Sequence, residues 1–142
     1  MSKKVNDVMS SNIVAVLPSD SVMEAAVQME KHHIGAVPVV SAGEVKGLLT
    51  DRDIVLRCVA KDKDVKSIKV SDVMSEKVVF VTPDQSIDDA AKIMAAEQIR
   101  RLPVLKDGYI DGMISFADIA RQGKEAEISS SISEISKPDC GC

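Results

Sequence analysis

The feature that most constrains this chain of 142 residues is an internal repeat, because two segments align without a gap at a shift of 65 residues. Residues 47–54 (GLLTDRDI) recur as residues 112–119 (GMISFADI), and residues 5–10 (VNDVMS) recur as residues 70–75 (VSDVMS). Self-similarity at one fixed spacing is typical of tandem copies of a small structural unit. We therefore predict a first repeat over residues 5–64 and a second over residues 65–122.

Each copy is predicted to fold as strand, helix, strand, strand, helix. In the first copy, Pro18 has no amide to donate to a ladder and should end the first strand. Ser21 and Glu24 are spaced as a capping box, and apolar residues follow them at helical spacing. Thr50 is the predicted N-cap of the second helix, because its hydroxyl can accept from a free amide of the first turn. The predicted strands of this copy cover residues 13–16, 36–40 and 45–49.

The fold class predicted from this order is α/β, with the strands buried by helices. A unit of about 65 residues buries too little surface to be comfortably stable alone. We therefore expect the two β-α-β-β-α copies to pack about a pseudo-twofold axis, joined by the charged linker at residues 61–64. Ile128, Ile132 and Ile135 form a narrow apolar stripe, which predicts an amphipathic C-terminal helix before a flexible tail, within residues 123–142.

Composition excludes several classes of function. The net charge is -4 and aromatic residues make up 2%, so neither a nucleic acid nor a membrane partner is expected. No apolar run approaches the roughly 20 residues of a membrane-spanning helix, and the N-terminus lacks the apolar core of a secretory signal. We expect a cytoplasmic protein. No set of nucleophile, base and orienting group can be assembled, so no enzyme and no catalytic cofactor are predicted.

The histidines and cysteines each leave a second interpretation open. The pair His32-His33 suggests a metal, but favourable interaction with the C-terminal end of its helix is the better interpretation. Cys140 and Cys142 could bind a soft metal or form a redox pair, but two ligands are too few for a closed site. Cys58 is predicted to be a buried apolar residue. No metal site is predicted.

Over residues 5–122, the repeated pattern resembles a pair of CBS (cystathionine β-synthase) domains, an arrangement also called a Bateman module. Two motifs carry the resemblance. The first is a hydroxyl residue followed three positions later by an acid, as Thr50 and Asp53 in one copy and Ser115 and Asp118 in the other. The second is a glycine with apolar residues and a proline, complete at residues 35–38 (GAVP) but without its glycine at residues 100–103 (RRLP).

This resemblance implies a stand-alone regulatory or energy-sensing module that binds AMP, ADP, ATP, NAD or S-adenosylmethionine in the clefts between the repeats. It matches Asp53 and Asp118 to the ribose, since a carboxylate can accept from both hydroxyls of a diol. Thr50 and Ser115 would lie near the phosphate or sugar. The purine would be sandwiched by an apolar slot whose candidates are Val37 with Pro38, or Leu102 with Pro103, together with Ile13 or Val78.

The two copies differ in positive charge. The pair Arg100-Arg101 lies where related adenylate-sensing modules place phosphate-contacting residues, and guanidinium groups suit bidentate phosphate contact. The first copy has Gly35-Ala36 at these positions, so Arg52 or Arg57 is the candidate substitute. Surface ion pairing is the alternative for all of these arginines.

The partners expected are an adenosyl small molecule, a second copy of the chain and a regulated protein that the sequence does not identify. Helices rich in Ala, Val and Met leave apolar surface to cover, which favours a homodimer. The C-terminal helix could dock on its own module or on a partner subunit. A protein-protein interaction module with vestigial ligand sites is the alternative function.

Overall fold

The computed structural model describes residues 3–122, so the predicted C-terminal helix and tail, with Cys140 and Cys142, lie outside the described residues. The chain divides into two compact units, which we name after the acid of their repeated motif. The Asp53 unit comprises residues 14–78 and 108–110. The described part of the Asp118 unit comprises residues 3–13, 79–107 and 111–122. No helix within residues 3–122 is both long and apolar enough to cross a membrane.

The Asp53 unit is built on an antiparallel hairpin. Its strands pair from Ala36 opposite Thr50 to Ser41 opposite Glu44. The turn residues Ala42 and Gly43 both have positive φ (54° and 81°), as a two-residue hairpin loop of type I′ requires. The elements of this unit are α2 (Val22–His32), β1 (Ala36–Ser41), β2 (Glu44–Thr50), α3 (Asp51–Ile54), a π-helix (Val55–Val59) and α4 (Val70–Val73).

The Asp118 unit repeats this plan. The hydroxyl of Ser86 accepts from the Asp89 amide at 3.0 Å, as the hydroxyl of Ser21 accepts from the Glu24 amide at 3.1 Å. The N-cap at Ser21 is therefore confirmed, although its reciprocal capping-box bond with Glu24 is not formed, and Ser86 caps the second long helix in the same way. The elements are α1 (Val5–Val8), α5 (Ile87–Glu97), β3 (Arg101–Lys106), β4 (Tyr109–Ser115) and α6 (Phe116–Gln122). Strand β4 lies next to β3, and its residues 111–115 belong to this unit.

The predicted strand over residues 13–16 is wrong. Val16 alone pairs there, in an isolated parallel bridge to Val39. Its amide donates to the Pro38 carbonyl at 3.1 Å, and its carbonyl accepts from the Val40 amide at 2.8 Å. The strand cannot extend far in either direction. Pro18 limits it on the C-terminal side, and on the N-terminal side the chain enters the Asp53 unit only at Val14. The π-helix was likewise not predicted from the helical pattern after Thr50.

The two short helices are exchanged between the repeats. Val5 of α1, from the first repeat, is fully buried in the core that contains Val81 and Ile87. Val70 of α4, from the second repeat, is fully buried in the core that contains Val22. Each compact unit thus takes its short helix from the other repeat. The boundaries at residues 64 and 65 stay a prediction about the sequence repeats.

Gly47 and Gly112 recur at the repeat spacing because an exchanged segment crosses each of them. A Cβ on Gly47 would lie 2.6 Å from the Ser75 carbonyl oxygen, and one on Gly112 would lie 2.8 Å from that of Ser10. The crossing segments then bond to the strands at 2.8–2.9 Å in both directions, Ser75 with Leu48 and Ser10 with Met113. A glycine is required at each crossing for steric reasons, not for its conformational freedom.

The charged linker at residues 61–64 is exposed, in agreement with its composition. Its last residue, Asp64, begins a turn. The Lys66 amide and the Ser67 hydroxyl donate to its two carboxylate oxygens at 3.0 and 2.9 Å. These hydrogen bonds, the one from Lys66 first, hold the pKa of the Asp64 carboxyl below its ordinary value.

Candidate functional site

The Thr50 motif forms a reciprocal capping box at the start of α3. The Asp53 amide donates to the Thr50 hydroxyl, and the Thr50 amide donates to Oδ2 of Asp53, both at 3.0 Å. The predicted N-cap role of Thr50 is confirmed. The side chain of Asp53 is 16% exposed, so its carboxylate is held at the helix start with one oxygen committed to the backbone.

The second oxygen of Asp53 faces Arg57, one turn further along. Oδ1 lies 3.9 Å from Nε of Arg57, which is within ion-pair range but too long for a hydrogen bond. The same guanidinium donates from one terminal nitrogen to the carbonyls of Val73 and Met74, at 3.2 and 3.3 Å. Arg57 therefore joins the acid of the motif to the end of α4.

The Ser115 motif has the same capping box. The Asp118 amide donates to the Ser115 hydroxyl at 3.1 Å, and the Ser115 amide donates to Oδ2 of Asp118 at 3.0 Å. Here Oδ1 accepts directly from the guanidinium of Arg121, at 2.5 Å. The arginine stands three positions after the acid in this copy and four positions after it in the other. Oδ1 of Asp53 is therefore more open to a further hydrogen-bond donor than Oδ1 of Asp118.

The residues that precede β1 and β3 each accept a hydrogen bond from the first residue of the motif helix in the same unit. The Gly35 carbonyl accepts from the Asp51 amide at 2.9 Å, and the Arg100 carbonyl accepts from the Phe116 amide at 2.7 Å. In each unit, the hydroxyl-acid motif and the segment that precedes the proline motif are therefore adjacent. A Cβ on Gly35 would lie 3.1 Å from Oδ2 of Asp51, so a carboxylate borders the glycine.

The arginines predicted to contact phosphate are all exposed, namely Arg52, Arg57, Arg100 and Arg101. The predicted slot residues Val37, Pro38, Leu102 and Pro103 are buried in their own strands. Ile13 and Val78 are half-buried, Ile13 in the same unit as Leu102 and Val78 in the same unit as Val37. Contact of these residues with a ligand stays a prediction.

A groove of about 420 Å³ lies in the Asp53 unit beside α2, and neither Thr50 nor Asp53 lines it. None of the residues predicted for the ligand site lines it. The lining residues are Ala15, Val16, Asp20, Met23, Glu24, Val27 and Gln28.

His32 ends α2, and His33 follows it as the left-handed C-cap, with both side chains exposed. This position agrees with the helix-terminus interpretation. Cys58 is fully buried, as predicted. Within residues 3–122, no group of three His, Cys, Asp or Glu side chains is placed to hold a metal ion.

The sequence pattern of the CBS domain matches residues 5–59 and again residues 70–125. The chain is 42% identical over 116 residues to the CBS domain-containing protein YhcV of Bacillus subtilis, covering 82% of each protein. Among solved structures it resembles Hypoxic Response Protein I with two coordinated zinc ions, with a TM-score of 0.77 and 29% identity over 86% of this chain and 100% of that one. It also resembles the CBS domain pair of MJ0100 in complex with 5-methylthioadenosine and S-adenosyl-L-methionine, with a TM-score of 0.73 and 28% identity over 85% of this chain and 95% of that one.

Two tandem α/β repeats, each with a hydroxyl-acid capping box after its last strand, define the class of a paired-repeat α/β domain. This chain belongs to the CBS domain family. Pairs of CBS domains are regulatory modules, and stand-alone proteins of this type are generally regulatory or signalling proteins without catalysis.

Proposed function

We propose that this protein is a regulatory sensor that binds an adenosyl ligand through the carboxylates of Asp53 and Asp118. The observation that carries the proposal is the repeated capping box, which fixes each carboxylate through Oδ2 and turns Oδ1 away from the helix backbone. An oriented carboxylate can accept hydrogen bonds from a ribose diol. The adenosyl complex of MJ0100, a related domain pair, supports this ligand class.

The charge around each motif indicates which adenosyl ligands suit which copy. The pair Arg100-Arg101 adjoins the Ser115 motif through the bond from Phe116 to Arg100, and it favours a phosphorylated ligand such as AMP, ADP, ATP or NAD. Gly35 adjoins the carboxylate of Asp51, which disfavours a phosphate nearby. The Thr50 motif therefore suits an adenosyl group with a neutral or cationic substituent, such as S-adenosylmethionine.

Occupancy would act by favouring one of two arrangements of the protein, as differential affinity requires. A homodimer is part of this proposal, because the π-helix exposes Val55, Leu56 and Val59 by about half of their surface (53%, 48% and 58%). The regulated protein is a further partner. The setting we propose is the cytoplasm.

The proposal is tested by mass spectrometry of small molecules released from the purified protein, followed by melting curves with each candidate. We expect an adenosyl compound to be released, or at least one of AMP, ADP, ATP, NAD and S-adenosylmethionine to raise the melting temperature. A protein that releases none and melts unchanged with all five would overturn the proposal.

An interaction module with vestigial ligand sites is the second candidate. The observation in its favour is that both acids already have partners within the chain, Asp53 with Thr50 and Asp118 with Ser115 and Arg121. In that case the capping boxes serve the helices alone. Unchanged melting with all five ligands, together with co-purification of a defined partner, would favour this function.

A further inference from the structure

Within residues 3–122, the side chain of Arg57 bridges Asp53, the acid of the Thr50 motif, to a segment from the other repeat. Its guanidinium donates to the Val73 and Met74 carbonyls, which lie at the C-terminal end of α4. These carbonyls lack partners within so short a helix, and an arginine can satisfy them. On its other side, Nε lies 3.9 Å from Oδ1 of Asp53.

The α4 segment in turn bonds to the strand that leads into the motif. Ser75 and Leu48 exchange two hydrogen bonds of 2.9 Å, next to the crossing at Gly47. Strand β2 then ends at Thr50, the N-cap of α3. These contacts link the motif acid to α4, and α4 to the strand that ends at the motif. All of the linked residues belong to the Asp53 unit, namely Asp53, Arg57, Met74, Ser75 and Leu48.

The second copy is built differently at this point. The repeat position of Arg57 is Gln122, whose side-chain oxygen accepts from the ammonium group of Lys3 at 3.0 Å. The arginine that pairs with Asp118 is Arg121, which occupies the repeat position of Leu56. The helix form differs as well, because the first copy has a π-helix over Val55–Val59 where the second has the α-helix α6.

We propose that Arg57 is a positioning residue that couples the carboxylate of Asp53 to α4. Its charge orients Oδ1 without a hydrogen bond, so this oxygen keeps its capacity to accept from a ligand hydroxyl. A ligand that draws Oδ1 toward itself changes the position of the guanidinium and so the hold on Val73 and Met74. Arg121 has no such role, because within residues 3–122 its guanidinium bonds to Asp118 and to no carbonyl of the exchanged helix α1.

The first experiment needs no ligand and does not depend on the proposed function. Hydrogen exchange is measured for the Ser75 and Leu48 amides in the wild type and in Arg57→Gln, with the Val40 amide as a reference for the whole unit. We expect exchange at Ser75 and Leu48 to rise about tenfold relative to Val40, the scale of losing hydrogen bonds to a charged group. The matched control, Arg121→Gln, should leave the Ser10 and Met113 amides unchanged. Unchanged exchange at Ser75 in Arg57→Gln, or an equal rise at Ser10 in the control, would overturn the proposal.

The second experiment rests on the proposed function and uses adenosine, the part that all the predicted ligands share. Asp118→Ala serves as the background, because it should weaken binding at the Ser115 motif most, and Asp53→Asn and Arg57→Gln are compared singly and together. We expect each single change to weaken adenosine binding about tenfold and the double change to add little, because both act through one carboxylate. Fully additive losses would overturn the coupling to Asp53. If the background protein does not bind adenosine, the proposed function is at fault, and the exchange experiment still decides the role of Arg57.

Discussion

The amides of Thr50 and Asp53 each donate to the side chain of the other residue, at 3.0 Å in both directions. Asp53 therefore stabilises the start of α3 and, as we propose, also binds the ligand. Alanine at this position removes both the helix cap and the ligand contact. Asparagine keeps an oxygen that can accept from the backbone amide, so it preserves the cap. Comparison of alanine with asparagine separates them.

Asp118→Ala should weaken adenosyl-ligand binding by about 1.5–3 kcal/mol, the usual contribution of hydrogen bonds to a charged group. It should also lower the free energy of unfolding by about 1 kcal/mol, since the Ser115 amide loses its partner. Asp118→Asn keeps an acceptor oxygen and is the control for the second effect. Calorimetric titration and chemical denaturation measure the two effects, and ligand binding at the wild-type level by Asp118→Ala would disprove the ribose role.

Gly47→Ala should lower the free energy of unfolding by about 1–3 kcal/mol, because the new methyl group meets backbone as well as side chain. The Ser75 carbonyl oxygen lies 2.6 Å from the Cβ position and cannot move without breaking the bridge to Leu48. Gly35→Ala is the control, since its nearest atom is an exposed carboxylate oxygen at 3.1 Å. Urea denaturation should find little change in the control, and equal stability of both variants would contradict the crossing.

Arg100→Ala combined with Arg101→Ala should lower affinity for ATP and leave affinity for adenosine unchanged. Two guanidinium groups favour a highly charged ligand, and the preference should weaken as salt is added, because both side chains are exposed. Titrations with ATP, AMP and adenosine at two salt concentrations make the measurement. Equal losses for all three ligands would mean that the arginines support the fold instead.

The protein should be a dimer at micromolar concentration, with a mass of about twice the 15.2 kDa of the chain. Val59→Glu should shift it toward the monomer, because Val59 is 58% exposed on the apolar side of the π-helix. Asn12→Glu, which adds the same single negative charge at an exposed neutral residue, is the control. A light-scattering mass near that of one chain for the wild type would contradict this prediction.

Local pattern was enough to predict most of the secondary structure. The caps at Ser21, Thr50 and Ser86 follow from side chains three residues from the amide they accept from, so the sequence alone carries the signal. The strand at residues 13–16 failed because strand formation depends on a partner, and only Val16 has one. The π-helix follows a helical pattern that does not distinguish it from an α-helix.

The exchange of the short helices could not be predicted, because residues 5–10 and 70–75 are nearly identical and fit either core. At the candidate site, too, contacts between residues close in sequence could be predicted, and contacts between distant residues could not. The bond between Thr50 and Asp53 is visible in their spacing, whereas Arg57 reaches carbonyls 16 and 17 positions away. The recurrence of Gly47 at the repeat spacing was visible in the sequence, but the segment that crosses it was not, because that segment is distant along the chain.

Calorimetric titration of the wild type and of the double variant Asp53→Ala with Asp118→Ala decides whether these two carboxylates bind an adenosyl ligand. The ligands are AMP, ADP, ATP, NAD and S-adenosylmethionine, with circular dichroism to confirm that the variant is folded. We predict that the wild type binds at least one of them and that the folded double variant binds none at the same concentrations. Binding of equal strength by both proteins, or by neither, would contradict an adenosyl sensor that acts through these two carboxylates.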